Sequence, residues 1–339
     1  MSMRIAHVLL TRNFGGTERH VVELTSAQAA AGHEVHLVLR RKAGRQSSDA
    51  LGHRVDPAVR IHYVADWIAR WPAIPQARRV VRRLRPDVAH AHLGMACQSM
   101  RGLEGLCPRV STLHLDYDPL QHDHLDGVVA IAPWQLDTLP PQLAGRAVQI
   151  DNWTAPKWPA EGARERLRAE MGLEPGEFLF GALGRVVPMK GMDLLVQSWS
   201  RASLPAARLA LVGGGRGWEE VRRQAPEDVV MPGFVERTED WMAAFDCFVS
   251  PARSEPFGLV YLEAMQAGLP ILATATHGAR HLSQLIGQPL IPVGDVDALA
   301  RGLEAVLAMR PSRRAYPLEC FRVEEKVAQL DQWYRSLGG

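Results

Sequence analysis

Lysine is nearly missing from this chain. Of its 39 basic residues only Lys42, Lys157, Lys190 and Lys326 are lysine, and the rest are arginine. A GC-rich coding genome imposes such a bias, and it makes Lys190 worth watching. Cysteine is also scarce: Cys97, Cys107, Cys247 and Cys320 form no close pair and no metal-ligand spacing. A disulfide scaffold is therefore excluded, and the thiols read as buried and reduced. No run of about 18 uncharged apolar residues exists, which excludes a membrane-spanning helix. Residues 1–10 carry no signal-peptide pattern, so the expectation is a cytoplasmic chain that starts near Met1. Charge of one sign is lacking too. The formal net charge of +2 gives no electrostatic reason to expect nucleic acid as a partner. Internal repeats and low-complexity tracts are absent.

What is present is an ordinary globular composition. The chain has 339 residues, 47% hydrophobic and 22% charged, enough for about two domains. Apolar runs at 4–10, 34–39, 88–91, 110–113 and 128–131 alternate with helical patterns, which points to a parallel sheet covered on both faces. Composition then changes at 151–159 (DNWTAPKWP), which reads as a linker. A second alternating series follows, with strands expected at 178–183, 209–212, 245–250, 271–273 and 290–292. The expected architecture is α/β, two doubly wound halves with a cleft between them. The first half takes residues 1–155 and the second 156–321. The amphipathic segment at 322–339 crosses back to complete the first.

Ligands of open parallel sheets bind beyond the carboxyl ends of the strands, near helix N-termini. Four turns of this kind carry chemistry. Gly15, Gly16 and Thr17, in the turn 13–18, let a backbone approach a phosphate. Arg185 and Lys190, in GRVVPMKG, follow a strong strand and can clamp a diphosphate from two sides. Glu255 sits in the loop before a helix that begins near Gly258, and Glu263 lies inside that helix. The free N–H groups of Gly258, Leu259 and Val260 suit a phosphate, with a carboxylate on each side for sugar hydroxyls. His114 ends a strand of the first half. Read singly, each turn has a plain alternative: a tight turn, solvated cations, solvated carboxylates, a capping or core histidine. His90 and His92 share a strand face. A metal site needs further ligands, and the sequence arranges none for them, so no metal is expected.

Taken together in order, these residues resemble the retaining glycosyltransferases of family 4, which have the GT-B fold. The matching segments are GGTE at 15–18, PDVAHAH at 86–92, STLH at 111–114, GRVVPMKG at 184–191, LVGGG at 211–215, PGFV at 232–235 and the E-x7-E pattern from Glu255 to Glu263. The resemblance implies a nucleotide-diphosphate sugar, UDP- or GDP-linked, as co-substrate, with no cofactor and no metal. Arg185 and Lys190 then hold the donor diphosphate, helped by the Gly16 backbone and by Gly258, Leu259 and Val260. Glu263 takes the ribose hydroxyls, Glu255 the donor sugar, and His114 reaches the sugar from the acceptor domain. The nucleobase lies near Gly233, Phe234 and Val235. Trp153 stands where the family often has glycine, and Ala132 where serine is common.

The acceptor side is less defined. Relatives suggest a glycan or glycolipid acceptor of the cell envelope. Residues 74–84 place Ala77, Val80, Val81 and Leu84 opposite Arg78, Arg79, Arg82 and Arg83. Such a face suits anionic lipid headgroups on the cytoplasmic side of a membrane, or is simply solvated. Trp67 and Trp71 suit sugar stacking or core packing alike. The rival readings are a GT-B epimerase or phosphorylase, a non-catalytic nucleotide-sugar-binding protein, and a nicotinamide oxidoreductase. The last lacks its GxGxxG and its acidic residue after the second strand, where Arg40, Arg41 and Lys42 stand.

Overall fold

The computed structural model describes residues 2–11, 15–44, 51–65 and 73–338. Trp67, Trp71, Asn13 and Phe14 lie outside the described residues. The chain forms two compact units, Met1–Ala155 with Phe321–Gly339, and Pro156–Cys320.

The first unit is built on β1 (Arg4–Leu9), β2 (Glu34–Arg40), β3 (Arg60–Val64), β4 (Val88–His92), β5 (Arg109–Leu113), β6 (Gly127–Ala130) and β7 (Ala147–Gln149). All pair in parallel, in the order β3-β2-β1-β4-β5-β6-β7. The order reverses between β1 and β4, which places the ligand-binding switch point there. The central strands read as continuous apolar runs because helices cover both faces. On one face α1 (Gly16–Ala30) and the C-terminal helix Val323–Leu337 bury Leu24, Val327, Leu330 and Tyr334 against Ile5, Val88 and Val110. On the other, α2 (Ala73–Leu84) and α3 (Gly94–Ser99) bury Ala77, Val81 and Cys97 against Val8, Ala89 and Ala91.

The second unit holds β8 (Phe178–Leu183), β9 (Ala207–Val212), β10 (Val230–Gly233), β11 (Cys247–Ser250) and β12 (Ile271–Ala273), parallel and in the order β10-β9-β8-β11-β12. Its switch point falls between β8 and β11. Phe180, Leu209 and Leu211 pack against Leu195 and Trp199 of helix Met192–Arg201 and Leu303 of helix Val296–Met309.

Three expected details are corrected. The run at 290–292 forms no strand, only a bridge between Thr274 and Ile291, because the flanking Pro289 and Pro292 have no N–H to extend a ladder. The strand expected from 245 starts at Cys247, since Phe245 still donates back to Trp241 of the preceding helix. Finally, the arginine face of α2 is not uniform. Arg78 bonds the carbonyls of Ser99 and Gln98, and Arg82 that of Gly102. Both cations thus serve the C-terminal end of α3, where carbonyls lack partners. Arg79 and Arg83 remain exposed.

Candidate functional site

At the second switch point the exits of β8 and β11 lie side by side. The β8 exit carries Arg185, which is exposed and pairs with no described residue. A single 3-10 turn, Pro188–Lys190, then delivers Lys190, and Gly191 (φ +66°) starts the next helix. Gly191 is required there: a Cβ would come within 2.1 Å of the Pro251 carbonyl oxygen. The β11 exit is therefore pressed onto the β8 exit. Further bonds tie the two loops. Arg253 and Ser254 donate backbone N–H groups to the Met189 carbonyl at 2.8 and 3.2 Å. The Arg253 guanidinium grips both carboxylate oxygens of Asp193 at 2.7 and 2.6 Å, a bidentate geometry. That pair holds the Asp193 carboxyl below its usual range.

The stitching brings Lys190 onto Glu255, and the two form an ion pair. Glu255 is nearly buried and Lys190 partly so, so each neutralises a charge that water cannot fully solvate. Helix Leu259–Gln266 begins three residues later at Gly258 (φ +89°), where a Cβ would strike the Tyr261 ring at 2.3 Å. The first N–H groups of a helix have no intrahelical acceptor and carry the positive end of its dipole. Glu263 follows in the same helix, with Lys157 Nζ 3.9 Å from its Oε1. At the β10 exit Gly233 has φ +81° and Phe234 leaves 68% of its surface in solvent. The second unit thus brings Arg185, Lys190, Glu255, Gly258, Leu259, Val260 and Glu263 to the carboxyl-end exits of β8 and β11, with Gly233, Phe234 and Val235 at the exit of β10, beyond β9. Such an arrangement offers cations and N–H dipoles to a diphosphate and carboxylates to hydroxyls. Lys157 escaped the sequence reading, although it shares with Lys190 the distinction of being one of four lysines.

Gly15, Gly16, Thr17 and His114 belong to the first unit. Gly15 caps α1 in an extended conformation, and α1 opens with Gly16 and Thr17. His114 follows β5 and is not isolated. The parallel register sets His7 beside His90 and Leu9 beside His92, and α1 adds His20. The expectation that no further ligands accompany His90 and His92 is corrected accordingly. Ring nitrogens of His7, His90 and His92 lie within 4.8 Å of one another, as do those of His20, His92 and His114. Sequence spacing hides this set, because its members come from four elements that only the sheet register aligns. Burial pushes the His7 imidazole down to about 4 and His114 to about 3, and holds His20, His90 and His92 well below 6.5. All five are therefore neutral near pH 7. His90 is satisfied, with Nδ1 on the Tyr334 hydroxyl at 2.5 Å and Nε2 on Thr112 at 2.8 Å. His20 is not. It stacks on Trp153 at 3.9 Å between ring centroids, and neither of its buried nitrogens completes a hydrogen bond. Asn152 is near enough to favour its protonated form without closing one.

Residues 14–154 match the family model Glycosyltransferase Family 4, and residues 177–309 match Glycosyl transferases group 1. The chain belongs to the family 4 glycosyltransferases. This glycosyltransferase is 25% identical to the lipopolysaccharide core biosynthesis glycosyltransferase LpsE of Rhizobium meliloti, over 90% of this chain and 89% of that protein. It is 27% identical to the mannosylfructose-phosphate synthase of Agrobacterium fabrum, over 78% of this chain and 72% of that one. Among solved structures, Anabaena HepE in complex with UDP-glucose superposes with a TM-score of 0.76 at 18% identity, covering 99% of this chain and 97% of the other. The sucrose-phosphate synthase of Thermosynechococcus elongatus gives 0.78 at 22% identity, with 98% of each chain covered. The fold of the glycosyltransferase is GT-B.

Proposed function

We propose that this glycosyltransferase is a retaining enzyme. It moves a sugar from a UDP- or GDP-sugar to a hydroxyl of a glycan or glycolipid of the cell envelope, in lipopolysaccharide core or exopolysaccharide assembly. The observation that carries the reading is the Lys190–Glu255 ion pair, formed by the loop that also carries exposed Arg185 and the loop that leads into helix Leu259–Gln266. In this reading Arg185 and Lys190 take the diphosphate, Gly258, Leu259 and Val260 donate N–H groups to it, and the Gly15–Thr17 turn helps from the first unit. Glu263 exchanges Lys157 for the ribose hydroxyls, Glu255 meets the donor sugar, and Phe234 with Gly233 and Val235 borders the base. His114 reaches the sugar with Nδ1, because Nε2 faces His92.

The bond from the anomeric carbon to the β-phosphate oxygen breaks first, and charge develops on the leaving diphosphate. Arg185, Lys190 and the helix dipole stabilise that charge without a divalent cation at the diphosphate. The acceptor oxygen attacks from the face of departure, and its proton passes to the leaving phosphate. No side chain is needed as a strong base, so Glu255 is not a nucleophile. The pathway rests on the part of the Rhizobium relative in lipopolysaccharide core biosynthesis, and the donor class on the UDP-glucose held by the Anabaena protein.

Two variants test the assignment. Glu263→Ala is expected to weaken UDP or GDP binding about tenfold or more, since each lost bond to a charged acceptor is worth roughly 1.5–3 kcal/mol. Glu255→Ala is expected to lower kcat with a smaller change in nucleotide affinity. Unchanged titration calorimetry and unchanged turnover in both variants would remove the site. Peripheral contact with an anionic bilayer belongs to the same proposal and narrows to Arg79 and Arg83.

A further inference from the structure

The geometry points to a first-row transition-metal site in the first unit, formed by His20, His92 and His114. All three ligands lie in the first unit, and His114, which the donor reading also uses, offers Nε2 to the ion and keeps Nδ1 for the sugar.

The tautomers follow from one fixed point. Gln28 Oε1 lies 2.7 Å from His7 Nε2, and an amide oxygen only accepts. His7 therefore carries its proton on Nε2 and accepts at Nδ1. His92 Nε2, 3.1 Å away, donates there. That leaves a lone pair on His92 Nδ1, which accepts from His114 Nε2 at 3.1 Å; for both nitrogens to bind an ion, the His114 proton moves to its Nδ1. A tetrahedral ion with bonds of 2.0–2.1 Å holds its nitrogens about 3.3 Å apart, so the pair is already near ligand spacing. His20 supplies the third nitrogen. It is buried, unpartnered, and within 4.8 Å of the other two. The chain from Gln28 through His7 is the kind of outer support that fixes a ligating imidazole. The other histidine triad does not qualify. His90 spends both nitrogens on Tyr334 and Thr112, and His7 spends both on Gln28 and His92.

Three neutral imidazoles select Zn²⁺, Co²⁺ or Ni²⁺ over Mg²⁺ or Ca²⁺, which require oxygen. His114 is only partly covered, which gives an ion a way in. Bound there, the ion ties α1 to the carboxyl ends of β4 and β5.

The probe is Co²⁺ added to the full chain after chelator treatment and dialysis. Expected is one Co²⁺ per chain with the visible absorption of a tetrahedral nitrogen site, displaced by Zn²⁺. The unfolding midpoint is expected to rise with Zn²⁺ and not with Mg²⁺. His20→Phe keeps the stacking on Trp153 and is expected to abolish the spectrum. His114→Ala provides a second ligand deletion. A wild-type chain without the absorption, or a spectrum that survives either substitution, overturns the site. UDP and GDP titrations on the same samples report on the donor reading separately.

Discussion

Arg185 and Lys190 arrive from the same loop but face different surroundings. Lys190 is matched by Glu255, whereas Arg185 has no described partner. Removing Arg185 therefore leaves no orphaned carboxylate, and its loss should appear in catalysis rather than in folding. Arg185→Ala is expected to lower kcat/KM by the equivalent of roughly 2–4 kcal/mol, the scale of deleting one preorganised donor to a developing anion. The unfolding midpoint should stay near wild type. Steady-state kinetics beside a thermal melt separates the two, and a full rate would end the clamp idea. Lys190→Ala should differ, because it strands a nearly buried Glu255 and costs stability as well as rate. Both cations and Glu255 were legible in the sequence as residues at strand exits, and Glu263 as a residue of the helix that follows. The partner of each was not. Lys190 meets Glu255 only because Gly191 lets two loops touch, and Lys157 meets Glu263 from a linker that has no periodicity to read.

At the scale of elements, the entry to β11 is held by a charged staple. Asp246 accepts from Arg164 at 2.5 Å and Arg168 at 2.9 Å, both on helix Ala163–Glu170, and from the Leu179 N–H at 2.8 Å. Burial opposes its charge, but the Arg164 bond, the Leu179 bond and the two guanidinium charges outweigh it. The carboxyl therefore sits below its ordinary 3.8. A carboxyl lowered in the folded state binds fewer protons there than in the unfolded chain, so stability rises with pH in that window. The staple's contribution should be complete above about pH 4 and fade as pH falls further. Asp246→Asn is expected to cost about 1–3 kcal/mol at pH 7 in denaturant unfolding, and the gap from wild type should shrink below pH 4. A gap independent of pH would contradict the assignment. For α2, Arg79→Glu with Arg83→Glu is expected to weaken binding to anionic vesicles, read by cosedimentation. Most elements were legible because long apolar runs flanked by helical patterns have few other readings. β3, β7 and β10 were not. β3 alternates arginine and histidine with apolar residues at an edge, β7 has three residues, and β10 contains Pro232.

At the scale of the whole molecule, the last 15-residue helix, Val323–Leu337, completes the unit that the first residues begin. Tyr334 is 3% exposed and lies against Ile5, Leu24 and Val88. Tyr334→Ala is expected to cost about 3–5 kcal/mol, the usual penalty for an aromatic cavity. The loss should fall on the first unit. A nucleoside diphosphate at about 100 times its Kd should instead add roughly 2.7 kcal/mol to the second unit. Differential scanning calorimetry with UDP, GDP and NAD resolves which transition each perturbation moves. A shift of the same transition by both would mean that the two units do not melt separately.

Hydrophobic patterning, strand-exit motifs and their order along the chain were enough for two doubly wound units and the return of the C-terminal helix, and they nominated the residues of the proposed donor site. These signals are local, since a strand's apolar run and a helix's N-terminus lie within a few residues of each other. The pairing of Lys190 with Glu255, the use of Arg78 and Arg82 inside the fold, and the histidine cluster were decided by tertiary structure. Each joins residues from separate elements, and only sheet register and loop contact bring such residues within bonding distance.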